Sequence, residues 1–171
     1  MKKLILIPTA ISSLRIAVLP LFFYLYNSAN IVACLILLAF SAATDFFDGY
    51  SARKLGATSS FGAYYDAITD FALVIGAFVF FTVKGFYPVW LPLLITASFV
   101  LFIFTSRLSK KIYDPIGKYI GSALYIGIVL TLVFPEQITY SFVQYAFVVF
   151  FVISLGSRVI CLTKNRNPNL N

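Results

Sequence analysis

Residues 43–70 read ATDFFDGYSARKLGATSSFGAYYDAITD, and this stretch decides how the rest of the chain is interpreted. It holds four of the six acidic residues of the protein, Asp45, Asp48, Asp66 and Asp70. Long apolar runs flank it on both sides. A carboxylate at membrane depth costs free energy, and residues of this kind are therefore taken to serve a function. The stretch therefore predicts a functional site at the ends of two membrane helices that a short polar loop connects.

The composition of the whole chain is that of a membrane protein. Hydrophobic residues make up 61% of the 171 residues and charged residues 11%, far from the values of soluble proteins. A membrane-spanning helix needs ~20 mostly apolar residues. Six segments qualify, at about residues 8–28, 31–52, 61–83, 88–107, 116–134 and 138–162. The sequence predicts an all-α integral membrane protein with six transmembrane helices in one domain, 1–162, followed by a polar tail, 163–171.

The basic residues indicate how the chain is oriented in the membrane. The net charge is +7, and twelve of the thirteen Lys and Arg residues fall at or near the side that holds both termini, with Lys84 opposite. Positive residues favour the cytoplasmic side, so we expect both termini and the acidic stretch to face the cytoplasm from the cell membrane. Pro8 allows a short interfacial segment over residues 1–8. Charges clustered at helix ends disfavour a nucleic-acid-binding protein.

The spacing of the four carboxylates predicts a metal site. Asp45 and Asp48 are three residues apart and Asp66 and Asp70 are four apart, so each pair shares one helix face. Helices joined by a short loop are antiparallel neighbours, and the two pairs can converge. Four ionised carboxylates need compensating charge. Because the chain has no His, oxygen ligation of Mg²⁺ or Mn²⁺ is favoured. Two such ions, about 4 Å apart, commonly bind the reacting phosphate group in enzymes that catalyse phosphoryl chemistry.

The other residues of the stretch suit a phosphate-containing substrate. Arg53 offers a planar guanidinium for phosphate oxygens. Gly49, Ala52 and Gly62 lack bulk close to the carboxylates, which leaves room for a flat or bulky group. In membrane helices small residues also serve close helix packing, so that interpretation stays open. Without His, a carboxylate is the obvious general base.

The stretch resembles, at every position, the signature D-x2-D-G-x2-A-R-x8-G-x3-D-x3-D of the CDP-alcohol phosphatidyltransferases. The residues that carry the resemblance are Asp45, Asp48, Gly49, Ala52, Arg53, Gly62, Asp66 and Asp70. The resemblance implies an enzyme that moves a phosphatidyl group, or its ether-lipid equivalent, from a CDP-linked lipid to an alcohol and releases CMP. It also implies six membrane helices and a homodimer.

The resemblance further implies roles for these residues. The four aspartates would bind two divalent metal ions, and Asp70 would also act as the base on the acceptor hydroxyl. The pocket for the CDP-linked lipid would comprise Asp45, Gly49, Ala52, Arg53, Gly62 and Asp66.

The start of the chain bears on the acceptor alcohol. The run IPTAISSLRIAVLP resembles the P-N-x-[LI]-[ST]-x2-R opening of phosphatidylglycerolphosphate synthases, with Pro8, Ile11, Ser12 and Arg15 in place and Thr9 where Asn is expected. The resemblance favours glycerol 3-phosphate as the acceptor, with inositol phosphate or another alcohol as the alternative.

A phosphorylated acceptor needs cationic residues on the cytoplasmic side. Arg107, Lys118 and Arg158 fall there, and we expect them to bind the acceptor. Contact with anionic lipid is the competing interpretation of the same residues. A different class of function, a divalent-cation transporter, would explain the carboxylates but not Arg53, which would repel a cation.

Overall fold

The computed structural model describes the backbone of residues 17–54, 60–108 and 119–166 and the side chains of 17–44, 67–104 and 119–157. These residues form six helices and no strand. In chain order the helices are α1 (Ala17–Asn27), α2 (Ile31–Lys54), α3 (Ser60–Val83), α4 (Trp90–Leu108), α5 (Ile120–Val133) and α6 (Gln137–Arg166). Each overlaps one of the six apolar segments, so the predicted all-α architecture is confirmed. The predicted interfacial segment 1–8 lies outside the described residues.

Within the described part of the chain, one helix is long and apolar enough to cross a membrane, over Gln137–Ser157 of α6. Five shorter apolar helices accompany it: Ala17–Asn27, Ile31–Thr44, Ala67–Val83, Trp90–Phe104 and Ile120–Val133. A stripe of large apolar side chains is exposed along α6, at Ile138, Phe142, Tyr145, Val149 and Val152. A continuous exposed apolar surface of this kind is typical of contact with lipid or with another protein. The helix continues to Arg166, beyond the start of the polar tail at Thr163.

A tight turn connects α1 to α2. Ala29 adopts a left-handed conformation, with φ of 54°, and the amide of Asn30 donates to the carbonyl oxygen of Leu25 at 3.1 Å. The side chain of Asn30 then accepts a hydrogen bond from the amide of Ala33 at 3.1 Å. Asn is a preferred N-cap residue because its side chain satisfies an amide that the helix leaves without a partner. This cap fixes the start of α2.

Residues 1–80 form the first of two compact units, and its described contacts join α1 to α2 and α3. Phe22 is fully buried, and Phe23 stacks on Phe80 with ring centroids 4.6 Å apart. Gly76 allows the closest approach: a Cβ atom there would lie 2.7 Å from Cδ2 of Leu19. The absence of a side chain at position 76 therefore lets α1 lie directly against α3.

The buried face of α2 is defined by its first half. Cys34, Leu38 and Ser41 are buried, at alternating spacings of four and three residues, whereas Val32 and Ile36 are exposed. The Cys34 thiol lies 3.9 Å from the carbonyl oxygen of Phe22, which places this face against α1. A 4-3 spacing of buried positions marks one continuous face of a helix.

Residues 81–171 form the second unit, whose centre is the turn between α3 and α4. The Tyr87 hydroxyl lies 2.6 Å from the Thr131 hydroxyl, which donates to the carbonyl oxygen of Gly127 at 2.7 Å. Since the Thr131 proton is used in that bond, we infer that Tyr87 donates to Thr131. Phe86 stacks on Tyr140 of α6 at 4.8 Å between ring centroids. The turn is thus tied to both α5 and α6.

Candidate active site

The four predicted carboxylate positions lie in helices, as the sequence predicts. Asp45 and Asp48 fall in the second half of α2, and Asp66 and Asp70 fall in the first half of α3. The segment between these helices, 55–59, lies outside the described residues. Helical backbone at all four positions confirms that each pair, spaced three or four residues apart, occupies one side of its helix.

The two pairs lie at matching distances from the connecting segment. Asp48 is six residues before the end of α2 and Asp66 is six residues after the start of α3, roughly 9 Å along each axis at 1.5 Å per residue. Asp45 and Asp70 are nine and ten residues from the same ends, roughly 14–15 Å. Antiparallel packing of α2 and α3 would therefore place the two pairs at the same depth along the helices, with Asp48 at the depth of Asp66.

The register of α2 places its two aspartate positions on the buried face. The stripe of Cys34, Leu38 and Ser41 continues at the same 4-3 spacing to positions 45, 48 and 52. The side chains at those three positions are outside the described set. By helical register, positions 45, 48 and 52 fall in line with Cys34, Leu38 and Ser41 along the α2 backbone.

Asp70 is the one predicted site aspartate whose side chain is described. It is half-buried, it follows the buried Thr69, and Leu73 and Ala77 continue the buried face of α3. Ile68, on the other side of the helix, is exposed. A carboxylate that is partly withdrawn from water in an apolar helix requires an electrostatic or hydrogen-bonding partner, and Asp70 does have such an interaction.

The donor set fits a hard divalent cation. Four carboxylates supply oxygen ligands alone, which is the chemistry that Mg²⁺ and Mn²⁺ prefer. Among the side chains that the structure describes there is no cluster of three or more acidic, His or Cys residues. Three of the four aspartates fall outside that set, so the grouping itself stays a prediction.

The remaining predicted residues are located by helix only. Gly49, Ala52 and Arg53 lie in the last turns of α2, and Gly62 lies in the first turn of α3. Of the predicted acceptor residues, Arg107 is next to the last residue of α4 and Arg158 lies in the last third of α6, both with side chains outside the described set. Lys118 is wholly outside the described residues. Their convergence on a phosphate therefore stays a prediction.

One residue beside the site was missed from the sequence. Ser41 is buried one helical turn before Asp45, on the same face of α2. The spacing of four residues was a usable signal, but a lone Ser in an apolar helix is more often a packing residue. Its burial became apparent only from the structure.

The helical fold and the carboxylate pattern define a class of membrane-associated transferase. The profile of the CDP-alcohol phosphatidyltransferase family matches residues 5–158, and the chain belongs to that family. The resemblance seen in the acidic stretch is thereby confirmed.

Several bacterial proteins similar to this chain carry the name CDP-diacylglycerol–glycerol-3-phosphate 3-phosphatidyltransferase. The relative from Yersinia pestis strain Pestoides F is 32% identical over 130 residues, which is 74% of this chain and 70% of the relative. The relative from Yersinia enterocolitica is 39% identical over 87 residues, or 49% of this chain and 47% of the relative. That from Pseudomonas fluorescens is 41% identical over 76 residues, or 43% and 39%. The last two alignments span less than half the length of those relatives.

Proposed function

We propose that this protein transfers a phosphatidyl group from a CDP-linked lipid to glycerol 3-phosphate and releases CMP in phospholipid biosynthesis. The observation that carries the proposal is the complete eight-residue pattern, set on two helices with its carboxylates at matching distances from the α2–α3 connection. Family membership supports the reaction class. The printed names of the relatives support the acceptor.

In this proposal Asp45, Asp48, Asp66 and Asp70 hold two divalent metal ions, Mg²⁺ or Mn²⁺. When bound, these ions neutralise the negative charge of the pyrophosphate and of the departing CMP. The aspartates would fix where the cations lie, because both pairs are on helices, and the pyrophosphate would be bound at that place. Positioning of this kind lowers the barrier by removing the need to orient the reactants during the reaction.

Asp70 acts as the general base. Its carboxylate takes the proton from the acceptor hydroxyl, and the acceptor oxygen forms a bond to the phosphorus that carries the lipid. The bond from that phosphorus to the bridging oxygen breaks, and CMP leaves with the electron pair. A carboxylate suits this role because the chain has no His that could serve as the base.

The small residues and Arg53 form the nucleotide part of the donor site. Gly49, Ala52 and Gly62 leave space for the cytidine next to the helix backbone. Arg53, one residue from the end of α2, contacts phosphate oxygens through its guanidinium. Arg107, Lys118 and Arg158 bind the phosphate of the acceptor.

The six helices span the cell membrane with both termini and the site on the cytoplasmic side, and the protein functions as a homodimer. The support for orientation is the placement of twelve of thirteen basic residues near one side. At 24 residues each, α2 and α3 are roughly 36 Å long, enough to cross a hydrocarbon layer of about 30 Å. The domain comprises residues 1–162, with 163–171 as a polar tail.

The test is release of CMP by the purified protein. It would be incubated with CDP-diacylglycerol, Mg²⁺ or Mn²⁺, and one acceptor from a panel of glycerol 3-phosphate, inositol 1-phosphate, inositol and serine. We expect CMP release that depends on glycerol 3-phosphate and on the metal. Release with inositol 1-phosphate alone would replace the acceptor and keep the reaction class. No CMP with any acceptor, from either a diester or a diether CDP-lipid, would contradict the proposed function.

A further inference from the structure

Five Ser and Thr side chains are buried in the described part of the protein, and one of them differs from the other four. They are Ser41, Thr69, Ser98, Thr131 and Ser154. Ser98 donates to the carbonyl oxygen of Leu94 at 2.8 Å, and Thr131 to that of Gly127. Thr69 and Ser154 also have interaction partners. The hydroxyl of Ser41, which is only 4% exposed, makes no hydrogen bond within the described residues, although its backbone carbonyl accepts one from Thr44.

An unpaired hydroxyl in the interior is unfavourable. A buried donor without an acceptor loses the hydrogen bonds that it makes to water, and Ser in a helix normally avoids this loss by donating to the carbonyl four residues earlier. Ser98 and Thr131 adopt that arrangement here. Among the side chains that the structure describes, Ser41 is thus the buried Ser whose hydroxyl is left available for a further acceptor.

The position of Ser41 limits what that partner can be. Ser41 shares the buried face of α2 with the Asp45 position and lies four residues farther from the α2–α3 connection, roughly 6 Å deeper along the helix. If the pyrophosphate of a CDP-linked lipid lies at the aspartates, its lipid side extends in this direction. The ester carbonyl nearest the phosphate follows the phosphorus by about five bonds, a span of roughly 6 Å at ordinary bond lengths. The distance of Ser41 from the Asp45 position along α2 therefore matches the distance from the phosphorus to the ester carbonyl.

We propose that Ser41 belongs to the donor site and that its hydroxyl donates a hydrogen bond to an ester carbonyl oxygen of the CDP-linked lipid. The proposal rests on the proposed function and adds a determinant of specificity to it. A carbonyl oxygen is a strong hydrogen-bond acceptor, whereas an ether-linked lipid has no carbonyl at this place. Ser41 therefore makes the enzyme selective for ester-linked over ether-linked donors.

The experiment compares two donors, CDP-diester lipid and CDP-diether lipid of equal chain length, with wild-type protein and with Ser41→Ala. We expect the wild type to have a KM for the diester about 2–10-fold lower than for the diether, the range that one neutral hydrogen bond gives. Ser41→Ala should lose this preference through a higher KM for the diester alone, and Ser41→Thr should retain it. Ser98→Ala is the matched control, a buried Ser that already donates within its own helix.

Two outcomes would overturn the proposal. If the wild type uses both donors equally, the enzyme is not selective for the ester-linked lipid and the proposal is wrong. A fall in kcat for both donors in Ser41→Ala, with unchanged KM values, would mean that Ser41 acts through Asp45. Equilibrium binding of both lipids separates this proposal from the proposed function. Wild-type protein that binds the diester more tightly yet releases no CMP contradicts only the reaction, whereas equal binding of the two lipids contradicts the role of Ser41.

Discussion

Polar groups are arranged in opposite ways in two regions of the molecule. At the turn between α3 and α4 they pair with one another, whereas the aspartate positions of α2 and α3 collect groups of like charge. At the turn, Tyr87 is 3% exposed and its hydroxyl pairs with Thr131, which in turn pairs with the backbone of α5. The ring of Tyr140 packs edge-on against Tyr87 and stacks on Phe86. In the acidic stretch, two pairs of carboxylates lie on two apolar helices, and the nearby buried Ser41 hydroxyl makes no hydrogen bond to any side chain or backbone group that the structure describes.

The difference separates polar groups that stabilise the fold from those that serve chemistry. A neutral pair such as Tyr87 and Thr131 is satisfied within the protein and contributes stability. Clustered carboxylates repel each other, and they lower stability until a cation or substrate compensates them. Changes at the turn should therefore affect unfolding, and changes at the aspartates should affect turnover. The predictions below test this division, starting with the largest effect.

The strongest test removes the charge of Asp70. Asp70→Asn should lower kcat for CMP release by about 10²–10⁴-fold, because loss of a general base has an effect of this size. The unfolding temperature in detergent should change little, since Asn has the same shape as Asp and can still form hydrogen bonds. Glu136→Gln is the matched control, because Glu136 is an exposed carboxylate in the α5–α6 turn. Near-normal turnover in Asp70→Asn would refute its role as base.

Alkaline pH should weaken the turn. Burial raises the pKa of Tyr87 from 10.0 to about 12, the neighbouring Tyr140 adds to the increase, and the Thr131 hydroxyl opposes it by turning toward the phenolate. A folded-state pKa above the unfolded value gives stability that is complete below pH 10 and is lost as the pH rises toward 12. A shift of this size corresponds to about 3 kcal/mol.

The measurement is unfolding in detergent from pH 9 to pH 11.5. Tyr87→Phe should show a smaller loss of stability across this range than the wild type. Tyr145→Phe provides the control, since Tyr145 is exposed on α6. If both variants have the same pH dependence as the wild type, Tyr87 does not control alkaline stability.

Breaking the Tyr87–Thr131 pair from the α5 side should also destabilise the fold. Thr131→Val keeps the shape of the side chain but leaves the Tyr87 hydroxyl buried without its acceptor, at a cost of about 1–3 kcal/mol. Adding Tyr87→Phe to this variant should recover part of the loss, because no unpaired hydroxyl then remains. Denaturant unfolding of the two single variants and the double variant gives the coupling energy. Strictly additive losses would show that the two hydroxyls are not coupled.

The smallest effect concerns the turn between α1 and α2. Ala29 has φ of 54°, a conformation in which a Cβ atom is unfavourable and glycine is not. Ala29→Gly should raise the free energy of unfolding by about 0.5–1 kcal/mol. The same substitution at Ala33, inside α2, should lower it by up to about 1 kcal/mol. Equal effects at both positions would show that the conformation of Ala29 is not strained.

The apolar runs of the sequence were sufficient to predict the helices. The segment predicted at 61–83 corresponds to α3 (Ser60–Val83), because a membrane helix must be continuous and apolar whatever its neighbours are. The pairing of Tyr87 with Thr131 could not be predicted in this way. These residues are 44 positions apart, and their contact depends on how α4 and α5 pack, which local patterns do not encode.

For the site, the spacing of the aspartates predicted the shared helix faces, and the described helices confirm that register. Spacing alone did not show which side of α2 faces inward. The burial of Cys34, Leu38 and Ser41 supplies that information, because both sides of a membrane helix are apolar and the sequence contrast between them is weak. For the same reason, the sequence did not indicate that Ser41 lies on the buried side of α2.

The contact between Gly76 and Leu19 has a consequence for how mutations at a distance would affect this enzyme. Gly76 lies six residues beyond Asp70, roughly 9 Å along α3, and its missing side chain is what seats α1 against that helix. A methyl group at position 76 would have to displace the end of the Leu19 side chain. We therefore expect a substitution at position 76 to change how the Leu19 side chain packs between α1 and α3 while every group of the acidic stretch is kept.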